Sequence, residues 1–213
     1  MYHVCVQCGE WEPDKEVRAV EESSQRAVAI CSSCGYEHLF PYLPLFVVAG
    51  PSGSGKSTVC NGMLNNVTAA NRSDWVILDS DILWGVAYTK PEEWTNYFDM
   101  WLRVCYNIHL SGRSVLLFGA GLNPDNVESR PGVRYFSAVH YLALVCDEDE
   151  LASRLRARPQ WRDSSGNDFI EDQLNYNRWF IEQGKDYEGS LTVLNTSEAP
   201  VEETIAAVSK WAV

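Results

Sequence analysis

The sequence predicts an α/β fold of three layers with a five-stranded, mainly parallel sheet, preceded by a small zinc ribbon. Short apolar runs alternate with longer helix-like stretches from residue 45 onward, and a glycine-rich turn follows the first of these runs. Two Cys-x-x-Cys pairs lie before residue 40. Alternation of buried strands with helices is typical of a parallel sheet that helices cover on both faces.

The pattern of apolar residues gives the order of these elements. Strands are predicted at residues 45–50, 75–79, 114–121, 139–146 and 191–195. Helices are predicted at residues 56–66, about 91–111, 147–157, 168–183 and 201–211. Pro41 and Pro44 form a short, stiff connector, which divides the chain of 213 residues into a ribbon (1–40) and a larger domain (45–213).

The stretch GPSGSGKST lies between the first predicted strand and the first predicted helix. Its spacing fills the G-x-x-x-x-G-K-[ST] pattern, in which backbone N–H groups and a helix N-terminus surround a phosphate. Lys56 adds a positive charge toward the β- and γ-phosphates, and Ser57 can bind Mg²⁺. The sequence therefore predicts binding of ATP by Gly50, Pro51, Ser52, Gly53, Ser54, Gly55, Lys56, Ser57 and Thr58.

Two carboxylates follow the second predicted strand, in the stretch WVILDSDILW. Ligands of parallel sheets bind at the carboxyl ends of strands, so Asp79 and Asp81 are expected beside the phosphate site. Asp79 could hold Mg²⁺, and Asp81 could accept the proton of an attacking hydroxyl. The alternative is that Asp81 only caps a helix that starts at Ile82.

Arginines end the fourth predicted helix, and Pro159 then starts a polar segment that could close over the site as a lid. Arginines on a lid neutralise the charge that develops on a transferring phosphoryl group, which predicts a phosphate role for Arg158 and Arg162. Acidic residues before this helix and basic residues at its end also suit the helix dipole. The sequence leaves open whether Arg154 or Arg156 also contacts phosphate.

The N-terminal ribbon contains Cys5, Cys8, Cys31 and Cys34 as two Cys-x-x-Cys pairs, each followed directly by glycine. Four thiolates at this spacing predict a tetrahedral structural zinc site. Two disulfides or a redox dithiol are the alternatives. The other three cysteines fall inside predicted helices or strands, as buried thiols do in a reducing compartment.

The charge of the chain argues against nucleic acid as a partner. The formal net charge is −12, and residues 1–44 contain seven acidic but only three basic residues. A nucleic-acid surface needs clustered Lys and Arg. The sequence shows neither a signal-peptide pattern nor an apolar segment of membrane-spanning length, so we expect a cytoplasmic protein with no membrane partner.

The order of these motifs resembles the P-loop kinases of small molecules, which include nucleoside-monophosphate, shikimate, gluconate and chloramphenicol kinases. The resemblance covers residues 45–213 and rests on GPSGSGKST, on Asp79-Ser80-Asp81, on the GAG turn at 119–121, on LASRLRARPQWR and on VLNTSEAP. It implies that Asp81 activates the acceptor, that Arg158 and Arg162 are lid arginines, and that VLNTSEAP forms the adenine-side loop. The implied activity is transfer of the γ-phosphoryl group of Mg-ATP to a hydroxyl or phosphate of a small molecule.

A competing interpretation is an ATP-hydrolysing or nucleotide-sensing switch whose ribbon binds a partner. Asp147 and Glu148 support it, because an acid after an apolar strand holds Mg²⁺ and water in such ATPases. A simpler explanation is that both acids start the following helix. The sequence leaves open the acceptor, the role of the ribbon beyond structure and the formation of a homodimer.

Overall fold

The computed structural model describes residues 3–21, 25–70, 74–83, 94–159, 165–183, 187 and 189–212. The strands are β1 (Glu16–Ala19), β2 (Arg26–Ile30), β3 (Glu37–Pro41), β4 (Leu45–Ala49), β5 (Trp75–Asp79), β6 (Ser114–Phe118), β7 (Val139–Val145) and β8 (Leu191–Asn195). The α-helices are α1 (Lys56–Ala70), α2 (Trp94–His109), α3 (Pro124–Val127), α4 (Glu148–Arg156), α5 (Asn167–Gln183) and α6 (Val201–Trp211). Within these ranges, 3-10 helices span Ser80–Leu83 and Pro131–Tyr135.

The larger sheet has five parallel strands in the order β5-β6-β4-β7-β8. This confirms the predicted α/β fold and its five-stranded parallel sheet. The central strand β4 is almost entirely buried, as expected for a short apolar run in the middle of a covered sheet. The chain first leaves β4 toward β6 and β5 and later crosses to β7 on the other side. Ligands of such sheets bind at the carboxyl edge where the strand order changes direction, which here is the end of β4.

Helices cover both faces of this sheet. On one face, α1 and α6 pack through Val59 and Val208 against Val48 of β4. On the other face, α2 and α5 pack through Trp101 and Phe180 in a second buried cluster. Because alternate residues of β4 belong to different clusters, one strand links both layers of helices to the sheet. None of the helices in the described part of the chain is both long and apolar enough to span a membrane.

Some element boundaries differ from the prediction. The helix predicted at 56–66 continues to Ala70, and the start of the helix predicted at about 91 lies outside the described residues. The short helix α3 was not predicted. It begins with Pro124, and the Asn123 side chain accepts a hydrogen bond from the Asn126 N–H (2.9 Å). Proline at the first helical position and asparagine at the N-cap are both favourable there.

The N-terminal ribbon forms a separate antiparallel sheet in the order β1-β2-β3. Its inner face does not enclose a core of its own, because Ala27, Ala29 and Phe40 belong to the same buried cluster as Leu45 and Trp101 of the larger unit. The division into domains 1–40 and 45–213 therefore stays a prediction.

Candidate active site

The phosphate loop predicted from GPSGSGKST joins the end of β4 to the start of α1. Gly50, Gly53 and Gly55 have φ values of 137°, 91° and 98°, which L side chains rarely adopt. At Gly50 the restriction is also steric, since a Cβ atom would lie 2.2 Å from the backbone oxygen of Leu144. The loop is thus a concave glycine turn at the carboxyl end of the central strand, a geometry that suits anion binding.

Lys56 lies against this loop. Its Nζ donates hydrogen bonds to the backbone oxygens of Gly50 (2.7 Å) and Pro51 (2.8 Å). Burial lowers the pKa of Lys56 to about 8, and Arg158 adds to this effect, whereas Asp81 and Asp79 oppose it. The structure therefore brings the predicted lysine, both predicted carboxylates and one predicted arginine within electrostatic range of one another.

The two carboxylates occupy different positions in the turn after β5. Asp79 is the last residue of the strand, and its Oδ1 accepts a hydrogen bond from the backbone N–H of Asp81 (3.0 Å). Asp81 itself is exposed in the 3-10 helix Ser80–Leu83. Asp79 therefore caps the start of this turn, and the capping role considered for Asp81 stays a prediction.

The glycine turn after β6 packs closely against the same region. A Cβ atom on Gly119 would lie 2.1 Å from the Ser80 Oγ, so this glycine lets the ends of β5 and β6 approach each other. The hydroxyl of Tyr97 donates a hydrogen bond to the backbone oxygen of Ser80 (2.8 Å). Gly121 has a φ of 73° and faces the ring of Trp94, which is half-buried and stacks on Phe98. The described wall beside Asp79-Ser80-Asp81 is therefore aromatic.

The other side of the phosphate loop borders a cavity of about 210 Å³. Its lining residues are Gly53, Ser54, Gly55, Thr58, Val59, Arg154, Thr196, Ala199, Val201 and Thr204. This cavity includes the loop after β8, which the sequence predicts on the adenine side. Arg154 donates hydrogen bonds to the backbone oxygen of Thr196 (3.0 Å) and to a carboxylate oxygen of Glu150 (2.7 Å). Arg154 therefore lies on the cavity side, and the Arg156 side chain is exposed.

The remaining predicted positions differ in how far the structure describes them. Arg158 is half-buried two residues after the end of α4, and its charge acts on Lys56. Arg162 lies outside the described residues. Ser57 and Thr58 are exposed in the first turn of α1, where Ser57 could hold a cation.

Asp147 and Glu148, on which the competing interpretation depends, both contact other residues of the protein. The Glu148 carboxylate binds the Arg178 guanidinium through two hydrogen bonds of 2.6 and 2.7 Å. The hydrogen bond from Arg178 holds the pKa of Glu148 below its usual value. Asp147 accepts a hydrogen bond from the Asn195 side chain (2.8 Å). Both acids thus connect α4 to neighbouring elements.

The four ribbon cysteines form a second site. Their sulfur atoms all lie within 4.8 Å of one another, and none of them is disulfide-bonded. The Cys5–Cys34 and Cys8–Cys31 sulfur distances are 3.6 and 3.8 Å. A tetrahedron with zinc–sulfur bonds of about 2.3 Å has edges of about 3.8 Å, whereas a disulfide requires about 2.0 Å. The arrangement is compatible with zinc and disagrees with the disulfide alternative.

Local backbone geometry explains why these cysteines converge. The N–H of Gly9 donates to the Cys5 oxygen (2.8 Å), and the N–H of Gly35 donates to the Cys31 oxygen (2.9 Å). Both glycines adopt positive φ, 78° and 72°. Each Cys-x-x-Cys-Gly stretch therefore forms the same tight turn, which places its two sulfurs on one side.

Sequence reasoning missed two side-chain amides from α5. Gln173 accepts a hydrogen bond from the backbone N–H of Ser52 in the phosphate loop (2.7 Å). One turn further along, Asn177 binds both backbone groups of Cys146 at the end of β7. Neither residue belongs to a recognisable motif, and Gln173 lies 121 positions from its partner in the sequence.

No protein-family model matches the sequence, and no curated protein is similar to it in sequence. Several solved structures share the fold. A sugar kinase from a Janibacter species has 16% identity and a TM-score of 0.57, with 80% of this chain and 94% of that chain covered. A gluconokinase from Sinorhizobium meliloti has 16% identity and a TM-score of 0.54, with coverage of 80% and 94%.

A shikimate kinase from Acinetobacter baumannii, solved with shikimate, has 15% identity and a TM-score of 0.53, with coverage of 79% and 92%. At such low identity these similarities show the fold. The chain shares its α/β fold with these three kinases, as the sequence predicted.

Proposed function

We propose that the chain is an ATP-dependent phosphotransferase that moves the γ-phosphoryl group of Mg-ATP to a hydroxyl or phosphate of a small molecule. The observation that carries this proposal is the grouping of Lys56, Asp81 and Arg158 beside a glycine turn at the end of the central strand. A glycine loop with a lysine suits phosphate binding in general. An accessible carboxylate in the same crevice adds what transfer to an acceptor hydroxyl requires.

The phosphate loop and Lys56 would hold the β- and γ-phosphates. Burial lowers the pKa of Lys56 to about 8 in this structure, and negative charge on a bound nucleotide favours its protonated form. Ser57 and Asp79 would hold Mg²⁺, which when bound neutralises charge on the phosphate oxygens. The cavity that Arg154 and Thr196 line on the other side of the loop would take the base.

Asp81 would accept the proton of the acceptor hydroxyl as the new bond to phosphorus forms. Its exposure and its position next to Asp79 support this role, because a general base must reach the acceptor directly. Arg158 would neutralise charge on the transferring group. For Arg162 the same role rests on the sequence resemblance alone.

Two observations make the competing nucleotide switch the weaker proposal. A switch of that kind would need Glu148 or Asp147 to face Mg²⁺ or water, but both acids bind side chains of neighbouring elements. Asp81 is exposed, and its charge acts on Lys56 of the phosphate loop.

The ribbon would carry one structural zinc ion on its four cysteines. Sulfur distances of 3.6 and 3.8 Å support this assignment, because they match the edges expected of a zinc tetrahedron. The ribbon contacts the larger unit through Tyr135, whose hydroxyl donates to the Pro13 oxygen (3.3 Å), and through Arg134, which donates to the Asp14 oxygen (3.3 Å). A folded ribbon would thereby support the 3-10 helix Pro131–Tyr135.

The acceptor is best found by a screen for ADP release above the background without acceptor. Proteins of the same fold are a sugar kinase, a gluconokinase and a shikimate kinase, which places sugars, sugar acids and hydroxylated carboxylates first in the screen. Nucleosides, nucleotides and antibiotics complete it. The Lys56→Ala variant serves as the control, since loss of the ammonium should abolish transfer. No acceptor-dependent release by the wild-type protein would contradict the proposal.

The sharper test compares two acids in the best acceptor reaction. Asp81→Asn should lower acceptor-dependent turnover by roughly 10²–10⁴, the usual contribution of a positioned general base. Affinity for ATP should change little, because the phosphate loop is intact. Glu148→Gln is the matched control and should keep its turnover. Near-normal turnover of Asp81→Asn would show that Asp81 is only a helix cap, and near-normal turnover of Asp81→Asn together with loss of turnover in Glu148→Gln would favour the switch instead.

A further inference from the structure

A hydrogen bond links the phosphate loop to a helix far along the chain. The backbone N–H of Ser52 donates to the Oε1 atom of Gln173 on α5 at 2.7 Å. N–H groups of such loops bind phosphate oxygens, so a carboxamide oxygen occupies a position that suits a phosphate oxygen. Since an N–H group can only donate, the Gln173 atom that faces it must be the oxygen.

The position of Ser52 indicates which phosphate is concerned. The Lys56 ammonium binds the backbone oxygens of Gly50 and Pro51, immediately before Ser52. The lysine of this motif reaches the β- and γ-phosphates, so this edge of the loop is the γ-phosphate end. The opposite edge, from Gly53 to Thr58, borders the cavity that we assign to the base.

Two features hold Gln173 at this edge. One helical turn later, the buried side chain of Asn177 accepts from the Cys146 N–H (3.1 Å) and donates to the Cys146 oxygen (2.7 Å). Residues four apart lie on the same side of a helix, so this double contact with the end of β7 fixes the face that carries Gln173. Ile170 also packs in a buried cluster with Leu155 of α4.

The phosphate loop also contacts α4, the helix that precedes the predicted lid. A Cβ atom on Gly53 would lie 3.0 Å from a methyl carbon of Leu151 on α4. Both α4, which ends before residues 157–166, and α5, which begins after them, therefore contact the phosphate loop. Gln173 lies on α5.

We propose that Gln173 binds the terminal phosphate of the nucleotide and selects a triphosphate over a diphosphate. This inference rests on the proposed function. When a phosphate oxygen takes the Ser52 N–H, the Gln173 carboxamide turns about its last side-chain bond and presents its NH₂ group to the γ-phosphate. A carboxamide suits both states because it carries an acceptor and two donors. The contact with Ser52 holds the side chain at the site until the nucleotide arrives.

Nucleotide titrations of the full-length protein test this proposal. Isothermal titration calorimetry with Mg²⁺ and either ADP or the non-hydrolysable β,γ-imido analogue of ATP gives both affinities. Gln173→Ala should weaken binding of the ATP analogue by about 10- to 100-fold, the effect of losing a hydrogen bond to a charged group, and change ADP binding by less than about threefold. Gln183→Ala, at the exposed end of the same helix, is the matched control and should change neither affinity.

Gln173→Glu distinguishes the two proposed contacts of the side chain, in which it accepts from the Ser52 N–H or donates to the γ-phosphate. Its carboxylate can still accept from the Ser52 N–H, so folding should be normal by circular dichroism, but it cannot donate to a phosphate and repels one. We expect it to weaken binding of the ATP analogue at least as much as Gln173→Ala does.

Three results with the Gln173 variants would overturn the proposal. They are unchanged affinity of both Gln173 variants for the ATP analogue, equal losses for ADP and the analogue, and tighter binding by Gln173→Ala, which would mean that Gln173 only blocks the loop. A wild-type protein without preference for the analogue over ADP would also overturn it. Failure of the proposed function is a separate result, namely absence of acceptor-dependent ADP release by the wild-type protein.

Discussion

Gly35 in the cysteine ribbon and Gly50 in the phosphate loop both have positive φ, 72° and 137°, but their surroundings differ. A Cβ atom on Gly35 would meet nothing within 4 Å, whereas one on Gly50 would collide with the backbone oxygen of Leu144. The first glycine is needed only for the local turn. The second is needed because a strand 94 positions away in sequence approaches the loop closely.

This difference extends to the two regions as a whole. The phosphate loop rests on a sheet whose two faces are buried under helices. The ribbon exposes several apolar side chains, among them Val6 (74%) and Trp11 (63%), and encloses the charged side chain of Lys15. A sheet of three short strands with so little apolar interior cannot fold by burial alone. The comparison predicts that the ribbon depends on its metal and that the phosphate loop depends on packing.

Metal removal should have the largest effect, and it should be confined to the ribbon. Structural zinc sites contribute roughly 10–16 kcal/mol of apparent binding free energy, more than a small ribbon can replace. Metal analysis of the purified protein should give one zinc per chain. Chelation, or the Cys8→Ser substitution, should expose the ribbon to limited proteolysis while amides of the larger sheet stay protected in hydrogen exchange.

Cys60→Ala is the control for this experiment, because Cys60 is buried in the core and lies outside the cysteine cluster. It should keep its zinc. A protein without zinc, or a ribbon that resists proteolysis after chelation, would mean that packing against the larger unit is sufficient.

Substitution of the two glycines by alanine tests the comparison next. Gly50→Ala should lower the free energy of unfolding by about 3 kcal/mol or more, since the added methyl group meets a backbone oxygen and the φ value is unfavourable. Gly35→Ala should lower the free energy of unfolding by only about 1–2 kcal/mol, the local cost of a left-handed backbone conformation for a residue with a Cβ atom. Urea unfolding at saturating zinc measures both values. Equal losses would show that close packing does not distinguish the two turns.

The sequence was sufficient where the cause of a structure is local. Five apolar runs predicted the strands because each is short, continuous and bounded by turn residues. The Cys-x-x-Cys-Gly stretches predicted converging thiols because their turns depend on adjacent residues. The position of the phosphate loop between strand and helix followed in the same way from its glycine spacing.

Contacts between distant residues could not be predicted in this way. Nothing around Gln173 marks it as a partner of Ser52, because the contact depends on how α5 packs after the chain has crossed the sheet. The carboxylate pair was predicted from the sequence, but the hydrogen bond within it was not. The Asp79 carboxylate accepts from the Asp81 N–H, since the chain turns directly at the end of β5.

The third prediction is that acidification lowers the free energy of unfolding through a residue in the core of the larger unit as well as through the ribbon. His109 ends α2, is almost fully buried, packs edge-to-face on Phe136, and has no hydrogen-bond partner for either ring nitrogen among the described residues. Burial lowers its pKa from 6.5 to about 4. The unfolded chain therefore binds a proton more readily than the folded one between these two values.

Its effect on stability follows from linkage. With a folded pKa below the unfolded value, the contribution of His109 is complete above about pH 6.5 and is lost as the pH falls toward 4. The free energy of unfolding should fall by about 2 kcal/mol between pH 7 and pH 5.

His109→Leu should remove this part of the pH dependence, and His140→Leu, at a half-buried position on the sheet, should leave it in place. Urea unfolding of the three proteins at both pH values gives the comparison, and because release of zinc also depends on pH, it is made between variants at each pH. If His109→Leu and the wild-type protein lose the same stability on acidification, the acid sensitivity arises from the ribbon or from other groups, and the core does not contribute to it through His109.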